Sequence, residues 1–190
     1  MMKQINADLL QGLNLYLIGM MGVGKTAVGK AVAQQLGYRF FDTDELITQV
    51  QGEAITEIFA HAGETYFREL ETKVLQELST YARSVIATGG GMILKKTNWS
   101  FLQQGLVVWL DADVDLIMER LAMDQTRPLL QTENPRQTLA DLLSQRRDRY
   151  AQADLHLKIE GKQAPETIAT RIIDQIPSVI KQQSSPVSYS

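Results

Sequence analysis

Cysteine does not occur in the 190-residue chain, which excludes disulfide cross-links and thiolate-ligated metals and suits a reducing cytosol. Neither charge dominates: 19 Lys and Arg stand against 22 Asp and Glu, for a net charge of -3. That balance offers no electrostatic footprint for nucleic acid or an anionic membrane. No apolar run approaches the ~18 residues that a membrane span needs. The opening MMKQINADLLQG is too polar for a secretory signal and lacks the Arg and Ser richness of a transit peptide. Internal repeats are absent as well. These absences lead us to expect a soluble, cytoplasmic, monomeric protein with small-molecule partners.

What is present is an alternation of apolar runs of strand length with amphipathic stretches, the pattern of a parallel sheet covered by helices. The α/β class follows. Strands are expected at 15–18, 39–42, 84–87, 106–110 and 155–159, and helices at 25–36, 46–51, 54–60, 63–81, 114–123, 135–150 and 165–176. One domain spanning 1–178 is expected at this length. The polar, Pro-bearing loop at 124–134 suits a mobile lid, and the low-complexity stretch 179–190 reads as a disordered tail.

The most specific motif lies at 19–26. Gly19, Gly24, Lys25 and Thr26 fit G-x-x-x-x-G-K-[ST] between a predicted strand and a predicted helix, the context in which that pattern binds nucleotide phosphates. Glycines let backbone N–H groups curl around phosphate oxygens, and the helix N-terminus faces them with about half a positive charge. Lys25 reaches the β and γ phosphates, and the Thr26 hydroxyl suits Mg²⁺, a hard cation that takes few protein oxygens. A glycine-rich turn before an ordinary helix is the competing reading, and the strand and helix on either side weigh against it.

Asp42 and Asp44, two residues apart in FFDTDE at the end of a strand, can present both carboxylates on the phosphate side. One can support Mg²⁺ through its water shell; the other can hydrogen-bond an acceptor hydroxyl or act as its base. Alternatively Asp44 caps the helix beginning at DELITQV. The glycines at 89–91 either form a flexible loop or let the main chain approach a substrate closely. Arg68, Arg127, Arg146, Arg147 and Arg149 are candidate carboxylate or phosphate forks. Asp111 in VVWLDAD reads as a metal-supporting acid or as the end of a strand leading to a helix cap, and we favour the cap. His61 and His156 lack paired-ligand spacing, and Trp99 and Trp109 are most simply packing residues.

Taken in order, GMMGVGKT, FFDTDEL, FRELE, ATGGG, RPLL and RRDRY resemble the shikimate kinases from about Leu15 to Ile176. The resemblance implies a P-loop kinase: a three-layer sandwich with a five-stranded parallel sheet in order 2-3-1-4-5, helices on both faces and a lid. It implies ATP as co-substrate, Mg²⁺, and transfer of the γ-phosphoryl group to the 3-hydroxyl of shikimate on the way to chorismate and the aromatic amino acids. Carried over position by position, Gly22, Val23, Gly24, Lys25, Thr26 and Ala27 would wrap the phosphates, with Thr26 on Mg²⁺ and Asp42 behind its waters. Asp44 would meet the shikimate hydroxyls as base or positioning group. Arg68 and Arg146 would hold the carboxylate, and the Gly90 main chain would touch a ring hydroxyl. Arg127 would face ATP from the lid, and Gln163 would lie near the adenine. The family often has a small residue and a proline after the arginine of RRDRY, so Arg147 competes with Arg146 for that role. Other readings of the scaffold are a gluconate or nucleotide kinase, or a nucleotide-dependent switch that binds a partner; the absence of an NKxD guanine-reading sequence argues against the switch.

Overall fold

The computed structural model describes residues 9–122 and 132–183. Its elements run β1 (Leu15–Ile18), α1 (Lys25–Leu36), β2 (Arg39–Asp42), α2 (Thr43–Gln51), α3 (Ile55–Ser79), β3 (Ser84–Ala87), a 3₁₀ turn (Met92–Leu94), α4 (Lys96–Leu102), β4 (Leu106–Ala112), α5 (Val114–Leu121), α6 (Pro135–Tyr150), β5 (Leu155–Ile159) and α7 (Pro165–Gln183).

The five strands pair in the order β2-β3-β1-β4-β5, all parallel, as expected. Central β1 is wholly buried because helices cover both faces, which explains its uninterrupted apolar sequence. Alternate side chains of one strand therefore enter different cores. Leu15, Leu17, Val85, Val108 and Leu157 join α1 and α7 in one cluster. Tyr16, Ile18, Ile86, Val107 and Trp109 join Leu75, Leu102 and Tyr150 in the other. A third, smaller cluster of Ile47, Ile58, Phe67 and Leu70 ties α2 to α3.

Several elements differ from expectation. The two helices expected at 54–60 and 63–81 form a single element with a non-helical break at Gly63, φ 80° and ψ 175°, a backbone region open essentially to glycine alone. The 3₁₀ turn and seven-residue α4 come after the triple glycine without an amphipathic period long enough to read. The tail expected from 179 is helical as far as Gln183. Pro177, which in sequence reads as a helix end, lies inside that helix, and Ile172, Ile173, Ile176, Val179 and Ile180 continue one apolar stripe against the first core. Packing of that stripe offsets the roughly 3 kcal/mol a mid-helix proline costs. Of the expected lid, 124–131 lie outside the described residues. Its last residue, Asn134, caps α6 by accepting from Gln137 N at 3.1 Å.

Asn14, just before β1, joins three segments. Its Nδ2 donates to Tyr81 O (2.8 Å) and Leu78 O (3.4 Å), and its Oδ1 accepts from Ser84 N (3.0 Å). The amide is 6% exposed and Ser84 is fully buried, so removing the side chain leaves Ser84 N without its partner in a dry setting. We expect Asn14→Ala to lower stability by about 2 kcal/mol, read as a lower urea midpoint at unchanged denaturant slope.

Candidate active site

The carboxyl ends of β1, β2 and β3 meet along one edge, where an open parallel sheet presents its ligands. The loop from β1 to α1 ends at Gly24, the N-cap of α1, with φ 103° and ψ 21°. A β-carbon would strain that left-handed turn, so glycine is required to aim the loop and the helix N-terminus at one point. Lys25 Nζ donates to Gly19 O (2.7 Å) and Met20 O (3.0 Å), holding the ammonium within the loop. Gly22 packs on α5, since a β-carbon there would stand 2.7 Å from Leu121 Cγ. The Val23 side chain is buried, and its carbonyl accepts from Arg120 Nη1 at 2.6 Å. Ala27 is exposed on the first turn of α1.

Asp42 closes β2 and joins this loop to α2. Its Oδ2 accepts from Thr26 Oγ1 at 2.6 Å, and its Oδ1 accepts from Asp44 N at 2.9 Å and Glu45 N at 3.4 Å. The cap of α2 is therefore Asp42, which corrects the alternative that gave this role to Asp44. Relieved of capping, Asp44 lines a cavity of about 300 Å³. Thr43 Oγ1 accepts from Gly89 N at 2.8 Å, which fastens the triple glycine beside it.

Arg68, Glu64, Glu71, Gly90 and Arg146 complete the polar wall of that cavity. Arg68 Nη1 donates to Glu71 Oε2 at 2.7 Å, while Nη2 and Nε donate to Glu64 Oε1 at 2.9 and 3.3 Å. Arg146, 7% exposed, donates from Nη1 to Gly90 O at 3.2 Å, and Tyr150 Oη donates to the same oxygen at 3.3 Å. Arg147 instead lies over the Trp109 ring, 5.7 Å from its centroid. Of these two neighbours, Arg146 is thus the one that lines the cavity. The glycines make room for these charges: a β-carbon on Gly89 would stand 2.7 Å from both Asp44 Oδ1 and Glu71 Oε1, and one on Gly91 would run into the Arg68 guanidinium.

Glu71 is 1% exposed, and its Oε1 has no hydrogen-bond partner among the described residues. Burial pushes its carboxyl up to about 7; Arg68 opposes that rise and the neighbouring Asp44 adds to it. Sequence reading gave no role to Glu64 or Glu71, although each is one helical turn from Arg68, at i−4 and i+3, where ion pairs form. It also missed Arg120, which carries no motif and reaches the phosphate loop only through the fold.

The remaining candidates separate. Gln163 Oε1 accepts from Arg171 Nη1 at 2.8 Å and lines a cleft of about 510 Å³ shared with Arg120, the residue that bonds the Val23 carbonyl. Arg127 lies outside the described residues. Asp111 sits within β4 and bonds His156 Nε2 at 2.9 Å, so it does not cap α5, contrary to our preference; the strand runs two residues further than expected. His156 stacks on Trp109, which stacks in turn on Tyr150. His61 pairs with Glu53 at 2.8 Å. A cleft of about 590 Å³ near Trp99 and Arg149 contains none of the other candidate residues.

Chemically, the edge joins a loop and lysine of the kind that binds phosphates with a small cavity lined by three carboxylates and two guanidiniums, groups able to hydrogen-bond hydroxyls and pair with carboxylates. Comparison with known proteins identifies the family. The shikimate kinase family model matches residues 21–177. The shikimate kinase of Synechococcus elongatus is 55% identical over 179 residues, spanning 93% of this chain and 94% of its own. That of Trichormus variabilis is 52% identical over 179 residues, spanning 94% and 99%. A solved structure of shikimate kinase from Acinetobacter baumannii in complex with shikimate superposes with a TM-score of 0.84 at 41% identity, covering 95% of this chain and 99% of that one. Lys25, Asp44, Arg68 and Arg146 all fall inside the matched region, and on the strength of that match the chain belongs to the shikimate kinase family.

Proposed function

We propose that this chain transfers the γ-phosphoryl group of ATP to the 3-hydroxyl of shikimate, giving shikimate 3-phosphate and ADP on the route to the aromatic amino acids. The observation that carries the reading is the cavity in which Asp44 stands with Arg68 and Arg146, next to the phosphate loop. One acid for a hydroxyl and two forks for a carboxylate describe a small hydroxy acid. With ATP as co-substrate, a monomeric cytoplasmic enzyme goes with this reading.

Phosphoryl transfer asks for position and charge neutralisation more than covalent help. Arg68 and Arg146 hold the shikimate carboxylate, and the Gly90 main chain stands at a ring hydroxyl. Asp44 orients the attacking hydroxyl and takes its proton as the oxygen bonds to the γ-phosphorus and the bond to the β,γ-bridging oxygen breaks. Lys25 and the main chain of Gly22–Ala27 balance charge on the phosphates. We assign Arg127 to the nucleotide phosphates, and Gln163 to the adenine side, on motif position alone.

The oxygens of Thr26 and Asp42, 2.6 Å apart, are hard donors that fit Mg²⁺, Thr26 directly and Asp42 through water. Among the described residues no group of three or more His, Asp or Glu forms a protein-only metal cage, so phosphate oxygens and water would complete the shell. When bound, the ion supplies neutralisation of the triphosphate charge.

Purified protein with Mg²⁺ and ATP should release ADP with shikimate and not with gluconate or nucleoside monophosphates; turnover with one of the latter would overturn the acceptor assignment. Lys25→Ala should lower kcat by about 100-fold or more, and near-normal turnover would remove the loop from the mechanism. Asp44→Asn should slow transfer by about 100-fold or more while ATP binding, measured by calorimetry, stays within a few-fold.

Glu71 adds a pH dependence. Its native carboxyl, raised from 4.5 to about 7, binds its proton more tightly than in the unfolded chain. The stabilisation is therefore complete below 4.5 and is lost as pH rises through about 7. Between pH 5 and 8 the wild type should lose denaturant stability relative to Glu71→Gln; parallel profiles would place the ionised carboxylate in a better-compensated setting.

A further inference from the structure

Arg68 is engaged by two carboxylates of different standing. Glu71, at 1% side-chain exposure, takes Nη1, while Glu64, at 64%, takes Nη2 and also Nε through the same oxygen. The Nε/Nη2 edge is one of the two that a guanidinium offers to an incoming carboxylate. A side chain of the protein already occupies it.

We propose that Glu64 is a displaceable stand-in for the substrate carboxylate on Arg68, and so tunes how tightly carboxylate acceptors bind; the inference rests on the acceptor site proposed above. Charge supports the exchange. Three carboxylates, Asp44, Glu64 and Glu71, face two guanidiniums, Arg68 and Arg146, around one small cavity. The acids already outnumber the guanidiniums, and a fourth carboxylate added to these would deepen that excess in a partly desolvated site. Replacing Glu64 by the substrate carboxylate leaves the balance unchanged, because the released side chain is mostly in solvent already.

Burial decides which glutamate yields. An exposed ion pair is held weakly and screened by salt, whereas breaking a buried one strands a charge in the protein. Glu71 stays and keeps Arg68 aimed; Glu64 leaves. Its place in the chain favours that movement, because Glu64 is the first residue after the non-helical break at Gly63.

The stand-in has two opposed effects, and experiment separates them. As a competitor, Glu64 weakens carboxylate binding; as a brace, it would strengthen binding by orienting Arg68. We expect Glu64→Gln in the full chain to lower the shikimate Kd, measured by calorimetry without nucleotide, about two- to fivefold, the range of an exposed pair. In the ADP-release assay the gain should appear in KM rather than kcat. The methyl ester of shikimate, which has no carboxylate to exchange, should show no such gain. An unchanged or higher shikimate Kd in Glu64→Gln, or an equal gain for the ester, would overturn the stand-in while leaving the acceptor site intact. Wild-type protein that neither binds nor phosphorylates shikimate would sink the acceptor reading and this inference with it.

Discussion

The two halves of the site are held in register by one carboxylate. Asp42 accepts from the first turn of α2 with one oxygen and from Thr26, in the first turn of α1, with the other. The N-terminus of α2, with its unpaired N–H groups and partial positive charge, is capped by one oxygen, and the hydroxyl in the first turn of α1 holds the other. Capping and phosphate-loop support are thus one interaction. Asp44 is placed by the same bond, since its backbone N–H is among those the cap satisfies, and its side chain is left to face the cavity.

The cavity beyond is built from charges that compensate one another incompletely. Glu71 is buried against Arg68 yet retains an oxygen without a partner among the described residues, an arrangement more costly than an apolar wall of the same shape. Such a wall would make a poor site for a polar acceptor, whereas fixed guanidiniums do not need to reorganise when a carboxylate arrives. Glycine makes the arrangement possible at close range. Any side chain at 89 or 91 would collide with the acids or with Arg68, so the triple glycine makes room for the protein's own charged groups.

Much of this was legible because it is local. Strand lengths and the G-x-x-x-x-G-K-T pattern depend on neighbours in the chain, and all five strands lie where apolar runs predict them. Arg146 could not be separated from Arg147 without knowing which face of α6 meets Gly90, a matter of helix rotation that adjacent residues do not reveal. The extension of α7 past Pro177 was hidden for a related reason: proline acts locally, and the stripe that overrides it is defined by a core built from distant strands. Arg120 was invisible because its partner, the Val23 carbonyl, is 97 positions away. Glu64 and Glu71 are the instructive omissions, being readable from helical spacing alone once Arg68 is taken as the reference.

The stack of His156, Trp109 and Tyr150 has an optical consequence. The chain has two tryptophans. Trp109 adjoins the tyrosine that holds Gly90 O, and Trp99 donates its indole N–H to Ile93 O at 3.1 Å. Trp99 therefore contacts the stretch that follows the triple glycine directly, and Trp109 is linked to it through Tyr150. Tryptophan emission from the unlabelled protein is in that sense an internal gauge of the segment around the triple glycine, with no indole in the phosphate loop to confuse the signal.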